Sequence, residues 1–380
     1  MQHWMTVGLG AAMAVGAVAG HAAAAPIGAF ADHRDIGNPA LPGSAVYHAA
    51  TRTYRVTGGG TNMWAGHDDF HFVWRKALGN ISIETALQFT TPSPAPSAAG
   101  YVHRKGGVII RQDLDPDSVY VDALRMGNRQ LSLQYRAVKG GPTRLIWINT
   151  GRQQAVRLEK IGDYAYLSVP GPDGRLHRAG GSFRLKLTGP YLVGLAVCPH
   201  DNSTRETMAF RDVRIGRPTF SPSAGSTVET IQIANPLEQT ALLHGTTIEV
   251  AGWSADARSL YARKAGRLYR AAAWDSDAVE LATGGERPAD PRADAAVHAP
   301  GALVARSSPD GQWLAYLTTA QSSARSVATS DVALHLVPLV EGKPQAEKSI
   351  VLSEFRGSAR SLGRSAWSPD SKTIAFVAED

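Results

Sequence analysis

Apolar side chains recur at every second position along most of this chain, between sharp bends, and that period suits strands rather than helices. In "LSLQYRAV" (131–138), Leu131, Leu133 and Tyr135 point one way, while Ser132, Gln134 and Arg136 point the other. Comparable runs include "TYRVTG" (53–58), "ISIETALQF" (81–89), "VYVDALRM" (119–126), "YAYLSV" (164–169) and "MAFRDVRI" (208–215). Gly, Pro, Asp or Asn bound most of them, as strand ends require. No helical period of ten or more residues occurs between 45 and 216. Many short strands predict an all-β chain with an antiparallel sandwich. "TTPSPAPSAAG" (90–100) is expected to be a loop, because its prolines exclude a central strand.

One run combines this alternation with metal-ligand chemistry. In "GGGTNMWAGHDDFHFVW" (58–74), His67, Asp69 and His71 share one parity, as zinc ligands on a strand would. The other parity is Asp68, Phe70, Phe72 and Trp74. The favoured reading is a sandwich strand with its rings inward and its imidazoles outward. No fourth ligand follows at a characteristic spacing, so neither a metal nor a cofactor is expected.

From about residue 217 the pattern changes. "RPTFSPSAGST" (217–227) reads as the start of a linker, taken as 217–234. Three segments then align without gaps: "WSADARSLYA" (253–262), "SSPDGQWLAYL" (307–317) and "WSPDSKTIAFV" (367–377). Asp256, Asp310 and Asp370 occupy one position, where an Asp caps a tight turn before an apolar strand. They are expected to be structural. Repetition at this spacing signals stacked blades.

These repeats resemble the blades of TolB-like propellers, the periplasmic component of the Tol biopolymer-transport system. "WSPDSKTIAFVAED" carries the likeness best, while Ala255 and Ala257 depart from it in the first copy. Upstream, "GGGTNMWAGHDDFHFV", "KGGVIIRQDLDPDSVYVD", "VRLEKIGDYAYLSVPGPDGRLH" and "YLVGLAVCPHDNSTRETMAFRDVRI" resemble concanavalin-A-like jelly-roll modules of secreted bacterial proteins. Together they imply an antiparallel jelly-roll sandwich over 26–216, followed by an incomplete β-propeller over 235–380. Propellers need roughly four to eight blades. Three motif copies therefore imply a chain cut after Asp380, or an edge paired by another subunit. The resemblance implies protein partners on the propeller and carbohydrate on the concave face of the sandwich.

Residues 1–25 read as a signal peptide with A-x-A cleavage sites ending at Ala24 or Ala25, and no later segment reaches the roughly 20 apolar residues of a span. The expected location is periplasmic or secreted. A net charge of +6 over 380 residues, with no run of like charge and no basic stripe, does not argue for nucleic acid. Cys198 is the single cysteine, which excludes an intramolecular disulfide, and its apolar neighbours predict a buried thiol. Asn80 with Ser82, and Asn202 with Thr204, fit a glycosylation pattern that carries little weight here, because the Ala-rich signal looks like a bacterial one.

Candidate ligand contacts are Trp64, Tyr101, Arg104, Tyr135 and Trp147, because rings stack on sugar faces and a guanidinium fixes hydroxyls. The loop "YVHRKGG" (101–107) adds His103 and Lys105. A secreted carbohydrate-active enzyme, a glycoside hydrolase or lyase, is the alternative function. Glycoside hydrolysis needs two carboxylates on one site. Glu84 stands alone on its run, and a glycine separates Glu159 from Asp163. No catalytic residue is assigned, and a binding protein is the expectation.

Overall fold

The computed structural model describes residues 26–90, 102–148, 154–171, 173–219, 225–272, 279–280, 301–319 and 329–380. Residues 1–25, expected to be a signal peptide, residues 91–100 of the proline-rich run, and Tyr101 lie outside these residues. The fold is all-β, and the described residues contain only short 3-10 turns besides strands.

Two antiparallel sheets face each other. The front sheet runs, in spatial order, through Asp32–Ile36, Phe70–Ala77, Tyr191–Cys198, Lys105–Arg111, Tyr120–Met126, Leu131–Arg136 and Arg144–Ile148. The back sheet runs through Ser44–His48, Thr53–Gly58, Glu206–Gly216, Ile81–Phe89, Ala155–Ile161, Tyr164–Pro170 and Leu176–Arg184. Alternate residues of both sheets fill the space between them, among them Val56, Val73, Leu87, Val108, Val121, Leu133, Leu158, Val193 and Phe210. Layering two sheets removes these side chains from water without leaving a backbone group unpaired.

Strand pairing continues beyond the sandwich, linking 22 strands. Arg144–Ile148 pairs in parallel with Glu238–Gly245, which pairs with Ser226–Gln232, which in turn pairs with Thr373–Glu379. Ser226–Gln232 falls where a linker was expected. Its alternation "STVETIQ" is short and follows a Pro/Ser/Gly cluster, so its partners define it as a strand. The same pairing covers one edge of Thr373–Glu379.

The C-terminal part is a stack of three layers. A separate four-stranded sheet, Ile248–Trp253 to Val279–Glu280, packs on one face of the central strands through Trp253, Leu260, Val228 and Val377. On the other face, Val304–Ser307, Trp313–Thr319, Ser330–Val340 and Ile350–Gly357 pack through Leu317, Leu334, Phe355, Ile231, Ile374 and Phe376. Contacts with the sandwich include Arg144 donating to the carbonyls of Leu352 and Val351, and Phe183 paired with Phe355.

The three repeated turns share one geometry. Asp256, Asp310 and Asp370 each accept from the backbone N–H two residues on, at 3.1, 3.0 and 3.1 Å. Ser254, Ser308 and Ser368 donate to those carboxylates at 2.6, 2.5 and 2.6 Å, and each accepts from the N–H five residues on at 2.9 Å. The departure of the first copy leaves this turn intact, because Ala257 takes the left-handed conformation (φ 59°) that Gly311 takes at φ 71°.

Candidate functional site

The front sheet buries its outer face as well. The odd–even split along its strands puts Lys105, Ile109 and Arg111, then Tyr120, Asp122 and Leu124, then Ser132, Gln134 and Arg136, on the side away from the core between the sheets. Met63–Trp64 and His67–Asp68 form a two-stranded hairpin, and Met63 packs over Phe70, Phe72, Ile109, Tyr120 and Cys198. Arg136 anchors the hairpin. It grips Asp68 with both terminal nitrogens and donates through Nε to the Ala65 carbonyl at 3.0 Å. Lys105 donates to Asn62 at 2.7 Å.

This covering corrects the expected orientation of residues 58–74. The parity is right, but Phe70 and Phe72 lie on the outer face beneath the hairpin, not between the sheets. His71, expected outward, is 1% exposed. It does not join His67 and Asp69. Its Nδ1 meets Asp35 Oδ1 at 2.6 Å, and its Nε2 meets His33 Nδ1 at 2.9 Å. Gly43 passes so close that a Cβ would lie 2.2 Å from His71 Nδ1, and its N–H donates to Asp35 Oδ1 at 3.1 Å. Burial pushes the His71 imidazole below its usual range, and the Asp35 carboxylate opposes this less strongly. Asp69 instead accepts from Asn38 N–H at 2.8 Å and Thr61 Oγ1 at 2.7 Å. Among the described residues no group of three or more His, Cys, Asp or Glu side chains is arranged to hold a metal ion.

The candidate ligand contacts separate. Trp64 is half-buried at the hairpin. Trp147, half-buried on the front sheet opposite Ser132, donates through Nε1 to Glu238 at 3.3 Å. Tyr135 points into the core and stacks on Phe183, with centroids 4.0 Å apart, so it offers no platform to a ligand. Arg104 is not on a solvated loop; it is buried, ion-paired with Glu206 at 2.7 Å and seated over the Phe89 ring. Lys105 is buried too, whereas His103 is exposed, with its ring 4.9 Å from that of His200.

Asp122 and Gln134 were not singled out in the sequence, since each is one polar residue in an alternating strand. They are directly opposite neighbours on the outer face. Asp122 Oδ1 accepts from the Gln134 backbone N–H at 3.3 Å. Asp122 Oδ2 and Gln134 Oε1 are buried and meet no donor among the described residues, although buried acceptors normally have partners. Burial holds the Asp122 carboxyl well above the usual carboxylate range, outweighing the Lys105 ammonium. The pair therefore sets two unmet side-chain oxygens, Asp122 Oδ2 and Gln134 Oε1, next to the row that carries Ser132 and Trp147. Both oxygens are sealed from solvent, so the pair lies behind the accessible part of this face, where Trp147 is only half-buried. The other carboxylate on this face, Asp68, is engaged by Arg136. Glu84 and Glu159 belong to the back sheet and are ion-paired with Arg157 and Arg178.

No family model matches the chain, and no curated protein matches it. Solved structures are similar only distantly. A functionally unknown protein from Saccharomyces cerevisiae aligns at 14% identity and a TM-score of 0.37, over 47% of this chain and 93% of that one. A mutant of the GH43 protein BlXynB from Bacillus licheniformis aligns at 12% identity and 0.32, over 49% of this chain and 39% of that one. A putative TolB from Agrobacterium tumefaciens aligns at 13% identity and 0.18, over 80% and 99%. At these scores the likenesses carry no argument about function. No helix among the described residues is long and apolar enough to cross a membrane.

Proposed function

We propose that this is an exported, non-catalytic binding protein whose front sheet takes a hydroxyl-rich ligand, a glycan, on its outer face. In this reading the sandwich is a concanavalin-A-like module and the C-terminal layers are TolB-like blades that meet protein partners. What supports the glycan reading is the half-buried Trp147 ring on this face, with the buried polar pair Asp122 and Gln134 behind it in the next row. A sugar presents an apolar face to such a ring. Exposed Val340, Ile350 and Val351 support a protein-contact role for the C-terminal layers.

Binding is favoured over glycoside hydrolysis because Asp122 has no second free carboxylate beside it among the described residues, Asp68 being held by Arg136. The test is a neutral-glycan array run together with a reducing-sugar assay. Expected are a retained glycan class, loss of retention in Gln134→Ala and Trp147→Ala, and no released reducing ends. Turnover of any polysaccharide overturns the binding-only reading. Retention that survives both substitutions overturns the site.

A further inference from the structure

The chain's small positive excess is not evenly spread. Arg55, Arg157, Arg211 and Arg214 share the outer face of the back sheet, and Arg52 stands at its corner. Three cross-strand rows define their positions: Arg55–Ala209–Gln88, then Thr53–Arg211–Ala86–Ala155, then Arg214–Glu84–Arg157. Against five arginines stand two carboxylates, Glu84 and Asp212, so the face holds a net +3 of the chain's +6. A β-bulge between Arg211 and Arg214 moves the second guanidinium back onto the same face.

Pairing within the face leaves charge over. Arg52 meets Asp212 at 2.6 Å. Glu84 is shared, at 2.6 Å from Arg157 and 3.5 Å from Arg214. Arg211 is exposed with no ion-pair partner among the described residues, and Arg55 reaches only the Thr90 hydroxyl at 3.4 Å. Between them lie Ala209, Ala86 and Ala155, which keep the surface low.

We propose that this face docks a linear polyuronate, a polysaccharide that carries a carboxylate on its sugar units. Glu84 shows the required chemistry, a carboxylate held between two guanidinium groups. Strands about 4.8 Å apart set the arginines on a rigid ladder that a repeating anion can follow without ordering the protein. No Trp, Tyr or Phe stands in these three rows, so bases would find nothing to stack on. Val46, opposite Arg55, is the only large apolar side chain exposed beside the rows among the described residues, too little for insertion into a lipid surface.

The test uses immobilised polygalacturonate and the full chain, with neutral dextran, dextran sulfate, poly-glutamate, anionic phosphatidylglycerol vesicles and an oligonucleotide as competitors. The expected result is binding that weakens with added salt and is displaced best by soluble polygalacturonate. Arg55→Glu with Arg211→Glu weakens it about tenfold or more, Arg55→Gln with Arg211→Gln weakens it less, and Lys343→Glu with Lys348→Glu leaves it unchanged. Gln134→Ala on the front sheet also leaves it unchanged, which separates this site from the glycan site proposed above. Equal or better displacement by any other competitor overturns the proposal, as does binding unaffected by the arginine double variants.

Discussion

Arg136 and Asp68 form a buried, two-pronged ion pair, with Nη2 to Oδ1 at 2.7 Å and Nη1 to Oδ2 at 2.9 Å. Both side chains are fully buried, and Arg111 lies 3.7 Å from the same carboxylate. Arg136 also donates to the carbonyls of Ala65, Gly141 and Ser118, so one guanidinium fastens the hairpin to the sheet. Breaking such a pair leaves an uncompensated charge in a dry site. Arg136→Met is expected to cost about 3–5 kcal/mol, and Asp68→Leu in the same chain to recover much of it. Urea midpoints of the two single variants and the double variant measure the coupling.

Glu229 and His244 give the C-terminal layers opposite pH limits. Burial pushes the Glu229 carboxyl up to about 8 from an ordinary 4.5, with Asp380 adding to the shift. A raised folded value means that this contribution is complete below pH 4.5 and is lost as pH rises through 8. Burial lowers the His244 imidazole from 6.5 to about 4, so its contribution is complete above 6.5 and is lost as pH falls through 4. Urea melts across this range are expected to show that Glu229→Gln flattens the alkaline limb, by an amount on the order of 3–5 kcal/mol. His244→Gln flattens the acid limb.

Cys198 is sealed under the hairpin and donates to the Asp69 carbonyl at 3.4 Å. Burial pushes its thiol from 9 up to about 11, against the pull of Lys105. Two units mean about a hundredfold less thiolate at any pH below 9. A disulfide reagent such as Ellman's is therefore expected to label the native protein no faster than the protein opens. Rapid labelling without denaturant would contradict the burial of this face.

Two repeated tryptophans link neighbouring layers. Trp253 Nε1 donates to the Ser365 carbonyl at 3.0 Å, and Trp367 Nε1 to the Arg306 carbonyl at 2.9 Å. The second of the three copies has Ser307 at this position. Trp367→Phe is expected to cost about 1–2 kcal/mol through the lost bond, and Trp367→Ala about 3–5 kcal/mol through the cavity. Near-ultraviolet circular dichroism and thermal melts check both values.

The period of two in "LSLQYRAV" was enough to identify a strand, its two faces and the sandwich class. It was not enough to say which face meets water. Ser132, Gln134 and Arg136 are polar, yet all three are buried. For Arg136 the partner is a hairpin 71 residues away, and no local pattern encodes that contact. The candidate site was hidden for the same reason. Tyr135 has the chemistry of a sugar platform but faces the core, while Asp122 and Gln134 become a pair only when two strands come into register. His71 left His67 for His33 and Asp35 because a neighbouring strand, Asp32–Ile36, pairs beside it.

The amino-acid sequence by itself determined the all-β class and the repeated Asp turns, because both depend on spacing within a few residues. Only tertiary structure decided that the outer face is roofed, that Ser226–Gln232 lies between two other strands, and that arginines from three separate strands converge. Those features arise from pairings between distant segments, where burial and charge belong to neighbours that the chain brings together only on folding.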